Sequence, residues 1–199
     1  MLTEKLKEYH IILGSVSPRR RELLADLGIS FDIADPDISE ECPPSVLPEN
    51  AALYLAELKA DKLALSLGRG QILITADTTV LCDDIIMPKP ESREQAVEFL
   101  RALSGRSHRV ITGVCIVSDS NHRNCFSVET TVIFSKLDED EIAYYVDEYK
   151  PYDKAGAYGI QEWIGMVATE RIEGSWFNVM GLPVESLYRE LKKFTEQSK

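Results

Sequence analysis

The sequence predicts an α/β fold built on a mixed sheet. Strand-like apolar segments alternate along the chain with longer segments of helical spacing, which is typical of a sheet covered by helices. Two neighbouring β segments, at 110–117 and 127–134, are joined by a polar connection that suits a hairpin, so the sheet is mixed. With 199 residues and no Gly/Ser-rich linker, we predict one domain over residues 1–199, which could still form two small lobes.

The predicted elements of the first half alternate between strands and helices. In order, they are a strand at 11–13, a helix at 18–27, a short strand at 31–33, a loop at 35–48, a helix at 49–67 and a strand at 71–81. Gly28 suits the end of the first helix, because glycine adopts the left-handed conformation that often follows a helix. The loop is acidic and rich in proline, which excludes regular structure there.

The second half contains further helices around the β pair. In order, its elements are a strand-like pair at 85–86, a helix at 92–103, the two β segments, a helix at 138–149, an irregular Gly-rich segment at 152–172 and a closing helix at 183–194. Acidic residues lead the helix at 138–149, as the helix dipole favours.

The composition excludes several classes of partner. A net charge of −11 disfavours non-specific nucleic-acid and anionic-membrane surfaces, because both need clustered Lys and Arg. The chain opens without the charged and then apolar pattern of a secretory signal. No apolar run approaches the roughly 18 residues that span a bilayer. We therefore expect a cytoplasmic protein that binds neither nucleic acid nor membrane.

The cysteines are expected to be reduced thiols that pack in the core. Their spacing contains no C-x-x-C motif, so the sequence suggests neither a zinc site nor a redox pair. Disulfides are also rare in the reducing cytoplasm. The residues concerned are Cys42, Cys82, Cys115 and Cys125.

Three consecutive arginines begin the first predicted helix. Ser17 suits the N-cap and Pro18 the first helical position, so Arg19, Arg20 and Arg21 fall in the first turn. That turn is the positive end of the helix dipole, where each added cation costs up to about 1 kcal/mol. An anion bound to the free N–H groups would reverse this penalty. The cluster is therefore either a phosphate site or a set of exposed arginines.

Asp77 and Lys59 are the next candidates. We place Asp77 at the end of the strand at 71–81, where ligands gather in open α/β sheets. Its carboxylate is a metal ligand, a general base or a buried, hydrogen-bonded acid. Lys59 falls on the apolar line of the helix at 49–67, so it either points into a cleft toward phosphate or extends to water.

Lys89 and His108 give weaker signals. Lys89 is held between Pro88 and Pro90, which suits rigid contact with an anion, although a proline-flanked lysine is usually just a solvated turn. His108 precedes a strand, where a structural histidine is more common than a catalytic one.

The segment 153–161 combines small residues with an amide side chain. Small residues allow a ligand to approach the backbone closely, and Gln161 offers a donor and an acceptor that suit the edge of uracil or thymine. An ordinary Gly-rich loop is the alternative. The sequence contains neither G-x-x-x-x-G-K-[ST] nor G-x-G-x-x-G, which argues against P-loop and Rossmann sites. Without a G-x-S-x-G elbow, an α/β-hydrolase nucleophile at Ser15 or Ser17 is also disfavoured.

Seven segments in this order resemble the Maf family of nucleoside triphosphate pyrophosphatases. They run from residue 15 to residue 183, which is most of the chain. The matching segments are Ser15-x-Ser17-Pro18-Arg19-Arg20, Lys59-Ala60, Ala76-Asp77-Thr78, Lys89-Pro90, Leu103-Ser104-Gly105-x-x-His108-x-Val110-x-Thr112-Gly113, Asp153-Lys154-Ala155-Gly156-Ala157-Tyr158-Gly159-Ile160-Gln161 and Asn178-Val179-Met180-Gly181-Leu182-Pro183.

The resemblance implies both a fold and a reaction. The fold would be similar to that of inosine triphosphate pyrophosphatases: an elongated mixed β-sheet flanked by helices, with two lobes around a cleft, in a homodimer. The form of the segment 153–161 resembles the branch that acts on dTTP and UTP. The implied reaction hydrolyses a nucleoside triphosphate, normal or modified, to the monophosphate and pyrophosphate with Mg²⁺ or Mn²⁺, in a house-cleaning role.

The resemblance also implies roles for individual residues. Asp77 would be the general base or metal-holding acid, and Glu40 would be a second metal ligand. The residues that would bind the substrate are Ser15, Arg19, Arg20, Lys59, Thr78, Lys89 and Gln161. Among them, Arg19, Arg20, Lys59 and Lys89 would hold the phosphates, and Arg19, Thr78 and Gln161 would set the base preference.

Two departures from the family pattern affect these assignments. Pro88 stands where the family usually has Gly before Lys-Pro, which leaves the backbone position of Lys89 open. Ser39 stands where an Asp often precedes the acidic residue, which leaves the metal role of Glu40 open.

Two other functions are compatible with the same residues. The Maf name is attached to inhibition of septum formation, so the cleft could sense a nucleotide and act through a partner protein. A neighbouring branch of the family acts on 7-methyl-GTP.

Overall fold

A seven-stranded mixed sheet runs through the computed structural model, which describes residues 1–120 and 122–197. The strand order is β2-β1-β3-β5-β6-β7, and β4 pairs with β3. β1 pairs in parallel with β2 and β3, whereas the pairs β3–β4 and β6–β7 are antiparallel. The strands are β1 (His10–Gly14), β2 (Asp32–Ile33), β3 (Gln71–Cys82), β4 (Ile85–Met87), β5 (Ser107–Ser118), β6 (Arg123–Phe134) and β7 (Thr169–Glu173). The predicted mixed α/β class is confirmed.

The helices begin where local sequence supplies suitable caps. Ser92 caps α4 by accepting a hydrogen bond from the Gln95 N–H at 3.2 Å, and the Asp138 N–H donates to the Glu141 carboxylate at 2.8 Å at the start of α5. Within the described ranges, no helix is long and apolar enough to cross a membrane. The helices are α1 (Leu2–Leu6), α2 (Pro18–Asp26), α3 (Ala51–Ala64), α4 (Arg93–Leu103), α5 (Glu139–Tyr149), α6 (Trp163–Ala168), α7 (Trp176–Met180) and α8 (Val184–Gln197), with 3₁₀ turns at Pro48–Asn50 and Ala155–Ala157.

Asp77 lies inside β3, and the prediction that it ends a strand is wrong. The strand continues to Cys82 because the residues that follow Asp77 pair with β4, with Val80 opposite Met87 and Leu81 opposite Ile86. The predicted strand at 71–81 is therefore confirmed, and its last residues are held by pairing with β4.

The segment 152–172 is more regular than its composition predicts. It contains a 3₁₀ turn, α6 and most of β7. The close approach of Gly165 to the chain explains the difference, since a Cβ there would lie 1.8 Å from the Ile160 carbonyl oxygen. Tertiary packing of Ile164 and Ala168, both fully buried, overrides the weak local helix propensity. The short helices α1 and α7 were likewise not predicted.

The chain forms two compact units. The first consists of Met1–Asp77, Thr112–Val128 and Gly181–Lys199, and the second of Thr78–Ile111 and Glu129–Met180. Neither unit is a continuous segment, so a linker in the sequence could not have marked their boundaries. The core of the second unit gathers side chains from α4, α5 and β6, with Leu100, Phe134 and Tyr145 fully buried.

In the first unit, α3 is fixed against β3 and β5. The Thr75 hydroxyl on β3 donates to the Ala56 carbonyl on α3 at 2.7 Å, and both residues are fully buried. Gly113 on β5 leaves room for this helix, because a Cβ there would lie 2.4 Å from Leu53 Cα. These contacts fix the position of the helix that carries Lys59.

Cys115 and Cys125 form a disulfide, which corrects the prediction of four reduced thiols. They lie on the neighbouring strands β5 and β6, with Cα atoms 4.2 Å apart and a sequence separation of 10. The absence of a C-x-x-C motif concealed the pair, because facing positions in two adjacent strands need no short spacing. Cys42 and Cys82 are free thiols. Burial of Cys82 and Cys115 confirms the expected core packing for those two residues.

Reduction of this disulfide is expected to lower the free energy of unfolding by about 2–3 kcal/mol, the loop-closure entropy of a short loop. Urea unfolding of the wild-type protein with and without a thiol reductant measures the difference. A Cys125→Ala variant is the control, since it should not respond to the reductant. Equal unfolding free energies for the wild-type protein under both conditions would contradict the prediction.

Candidate active site

The turn between β1 and α2 is organised around Ser15. This residue is 4% exposed, and its hydroxyl accepts hydrogen bonds from the Ser17 N–H and from the Arg20 guanidinium, both at 3.3 Å. Arg20 also donates through Nε to the Gly181 carbonyl at 2.8 Å. Ser17 is the N-cap residue of α2 and Pro18 occupies its first turn, as predicted. The Arg20 guanidinium is therefore held from two sides at the start of the helix.

Arg20 lies in the field of two carboxylates. Burial lowers the pKa of its guanidinium, and the charges of Asp77 and Glu40 oppose that shift. The neighbouring charge of Arg19 acts in the same direction as burial. Acids from other segments thus oppose the charge of Arg20, which helps the fold tolerate this cation at the positive end of a helix.

Lys59 and Asp77 form a buried ion pair. Lys59 Nζ donates to Asp77 Oδ1, and it also pairs with Glu40 Oε1 at 3.1 Å. The Lys59 and Asp77 side chains are only 5% and 10% exposed, whereas that of Glu40 is 43% exposed. Of the two predicted orientations of Lys59, the structure therefore shows the one that points inward, and its partner is a carboxylate.

The pair is aligned by the contact between α3 and β3. Thr75 and Asp77 are two residues apart on β3, so their side chains lie on the same face of the strand. Thr75 bonds the backbone of α3 at Ala56, one turn before Lys59. The hydrogen bond that docks the helix thus also sets the approach of Lys59 to Asp77.

Cys42 joins this neighbourhood, which the sequence did not indicate. Burial raises the pKa of its thiol, and the negative charge of Asp77 adds to the rise, so the group stays a neutral thiol. The only available signal was its position two residues after Glu40 in the acidic loop.

The donor set fits a hard divalent cation. The carboxylates of Asp77 and Glu40 both pair with the ammonium group of Lys59, so their oxygens lie near each other. Mg²⁺ is commonly held by one or two carboxylates together with substrate phosphates and water, so this pair supplies enough protein ligands. Asp77 and Glu40 are therefore the residues that could hold such an ion.

Thr78 and Lys89 belong to the second unit. Thr78 is half-buried on β3, and Lys89 is exposed just after β4. The carbonyl of Pro88 accepts a hydrogen bond from the Gly156 N–H at 3.2 Å. Proline lacks a backbone N–H but keeps its carbonyl oxygen. Pro88, which departs from the family pattern, therefore still links the Lys89 segment to the segment that contains Gln161.

Gln161 is the exposed residue of an otherwise buried stretch. Ala157, Tyr158 and Ile160 are at most 6% exposed, and Gln161 stands in the turn that follows them. His108 supports this stretch, since its Nε2 lies 2.7 Å from the Tyr158 hydroxyl. Burial lowers the pKa of His108 to about 4, so the imidazole is neutral at physiological pH. The structural role weighed for His108 agrees with these contacts.

The site residues therefore fall into two groups. The first unit brings together Ser15, Arg20, Glu40, Lys59 and Asp77 through direct contacts or charge, with Arg19 beside Arg20. The second unit contains Thr78, Lys89 and Gln161.

Residues 10–194 match the family model described as Maf-like protein. The chain belongs to the Maf-like family. Similar curated relatives carry the name dTTP/UTP pyrophosphatase. The protein from Porphyromonas gingivalis is 52% identical over 204 residues, covering 99% of this chain and 100% of the relative. That from Bacteroides fragilis is 50% identical over 189 residues, covering 94% and 97%. That from Flavobacterium johnsoniae is 44% identical over 191 residues, covering 96% and 98%.

Solved structures of the Ham1 protein are also similar to this Maf-like chain. The Staphylococcus aureus Ham1 protein gives a TM-score of 0.49 at 17% identity and covers 93% of this chain and 99% of that one. The Coxiella burnetii HAM1 protein gives a TM-score of 0.46 with the same identity and coverage.

Proposed function

We propose that this Maf-like protein is a nucleoside triphosphate pyrophosphatase that hydrolyses dTTP and UTP to the monophosphate and pyrophosphate. The observation that carries the proposal is the buried Asp77 carboxylate, which pairs with Lys59 and whose charge acts on Arg20. This constellation occurs in a chain that is about half identical, over nearly its full length, to relatives named dTTP/UTP pyrophosphatase. Those names favour this activity over a nucleotide-sensing regulator and over a 7-methyl-GTP pyrophosphatase.

The reaction requires a water molecule to attack the α-phosphorus. The new P–O bond forms as the bond to the bridging oxygen of the β-phosphate breaks, and pyrophosphate leaves. A triphosphate carries about four negative charges, and cationic donors in a partly buried site stabilise them more strongly than water does. Arg19, Arg20, Lys59 and Lys89 are proposed to hold the phosphates.

Asp77 is proposed to orient and deprotonate the attacking water. A carboxylate placed within hydrogen-bond reach of the water is the required group, and Lys59 fixes the orientation of this one. Ser15 supports the phosphate contacts by holding the Arg20 guanidinium. A divalent cation, Mg²⁺ or Mn²⁺, held by Asp77 and Glu40 would supply further neutralisation of the phosphate charge.

The base preference is proposed to depend on Arg19, Thr78 and Gln161. A glutamine amide offers one donor and one acceptor, which match the edge of uracil and thymine. From the family resemblance alone, we further propose that the protein acts as a homodimer in the cytoplasm, where the Cys115–Cys125 disulfide would be an uncommon feature.

A nucleotide panel tests the proposed function. Purified protein with Mg²⁺ or Mn²⁺ should release pyrophosphate, and no single phosphate, from UTP and dTTP. The kcat/KM for 7-methyl-GTP should be lower than that for UTP. Intact UTP and dTTP would overturn the proposal, and tight nucleotide binding without turnover would favour the regulatory alternative.

A further inference from the structure

A single tyrosine hydroxyl bridges the turn that presents Gln161. Tyr145, on α5, is fully buried. Its hydroxyl accepts a hydrogen bond from the Gly159 N–H at 3.0 Å and donates to the Glu162 carboxylate Oε2. The turn closes on itself, since the Glu162 N–H donates to the Gly159 carbonyl at 3.0 Å. Gly159 and Glu162, at the two ends of the turn, are thus both hydrogen-bonded to the Tyr145 hydroxyl.

Lys154 completes this network from the opposite direction. Its ammonium group pairs with Glu162 Oε1 at 3.1 Å and with Asp153 Oδ1 at 2.7 Å, although the Lys154 side chain is only 9% exposed. The Glu162 side chain packs closely on the turn, since a Cβ at Gly159 would lie 2.8 Å from Glu162 Cδ. The backbone on both sides of Gln161 is therefore locked by buried polar contacts.

The tyrosine remains a donor at any ordinary pH. Burial raises the pKa of Tyr145, and the hydrogen bond and charge of Glu162 raise it further. The Tyr145 hydroxyl therefore keeps its proton and its bond to Glu162. Loss of the Tyr145 hydroxyl would leave the Gly159 N–H without its acceptor and the Glu162 carboxylate without one of its donors, which would loosen the turn.

We propose that Tyr145, Glu162 and Lys154 are positioning residues that hold Gln161 in place to select the pyrimidine base. The inference rests on the proposed function, in which the Gln161 amide contacts the base. A side-chain amide distinguishes one base edge from another only if its donor and acceptor are fixed in position. A displacement of about 1 Å can cost up to about 10² in rate, so a loosened turn is expected to weaken the contact of Gln161 with its preferred base.

Tyr145→Phe tests the network, because phenylalanine keeps the ring packing and removes only the bridging hydroxyl. Hydrogen–deuterium exchange should show faster exchange of the amides of residues 159–163. The ratio of kcat/KM for UTP to that for CTP should fall about tenfold, mainly through a higher KM for UTP, as expected for a misplaced binding group. Glu162→Gln, which keeps an acceptor oxygen and removes the charge, should change both readouts in the same direction by less.

Tyr144→Phe is the matched control on the same helix. The Tyr144 side chain is 48% exposed and its ring packs edge-on against Trp163, so removal of its hydroxyl should alter neither readout. Faster exchange with an unchanged UTP/CTP ratio would overturn the inference, as would unchanged exchange in both test variants. If the wild-type protein hydrolyses no pyrimidine triphosphate, the proposed function is wrong, and so is the selectivity role that rests on it.

Discussion

Asp77→Asn is expected to lower kcat for UTP hydrolysis by a factor of about 10²–10⁴, the usual contribution of a positioned general base. Asparagine has the same size and keeps an oxygen that can accept from Lys59, so the buried site retains its packing and its hydrogen bond. What it loses is the ability to take a proton from water. Pyrophosphate release at saturating UTP measures the effect, and circular dichroism verifies the fold.

Asp37→Asn provides the matched acid-to-amide control in the same unit. The Asp37 side chain is 92% exposed, and asparagine tolerates its positive φ of 40°, so the change should leave kcat unaltered. Full activity of Asp77→Asn would remove Asp77 from its proposed role. An equal loss in both variants would assign the effect to the overall charge of the loop and strand.

Features that depend on neighbours in sequence could be predicted. They are the alternation of strands and helices, the N-cap position of Ser17 and the end of α2 before Gly28. The extent of β3 could be predicted to within one residue, but the change from apolar to polar residues at Asp77 wrongly suggests a strand end there. Helix α6 could not be predicted, because its formation requires the close approach of Gly165 to Ile160.

Candidate site residues could be predicted from the sequence where they break a local rule. Cations in the first turn of α2 are such a case, and the structure explains Arg20 through the charges of Asp77 and Glu40. Lys59 was ambiguous because its place on the apolar line of the helix does not fix the direction of a long side chain. The docking bond between Thr75 and Ala56 settles its direction, and no sequence pattern encodes that contact.

Lys59→Met is expected to lower the free energy of unfolding by about 3 kcal/mol, because it leaves the Asp77 carboxylate buried without its closest cation. The loss should fall at the lower end of the range for broken buried pairs, since Arg20 still acts on Asp77. Methionine preserves the aliphatic stem and its packing. Urea unfolding monitored by circular dichroism gives the free energy.

The double variant Lys59→Met/Asp77→Asn separates charge from packing. If the buried, uncompensated carboxylate causes the loss, neutralising it should restore most of the stability of the single variant, since a neutral amide costs far less to bury than a carboxylate. Lys62→Met is the matched control, because Lys62 pairs at 3.5 Å with the exposed Asp37 and an exposed pair contributes only about 0–1 kcal/mol. A double variant no more stable than Lys59→Met would show that the lysine acts through its stem. If the double variant recovers stability but not UTP hydrolysis, the charged pair is needed for the reaction and not for folding.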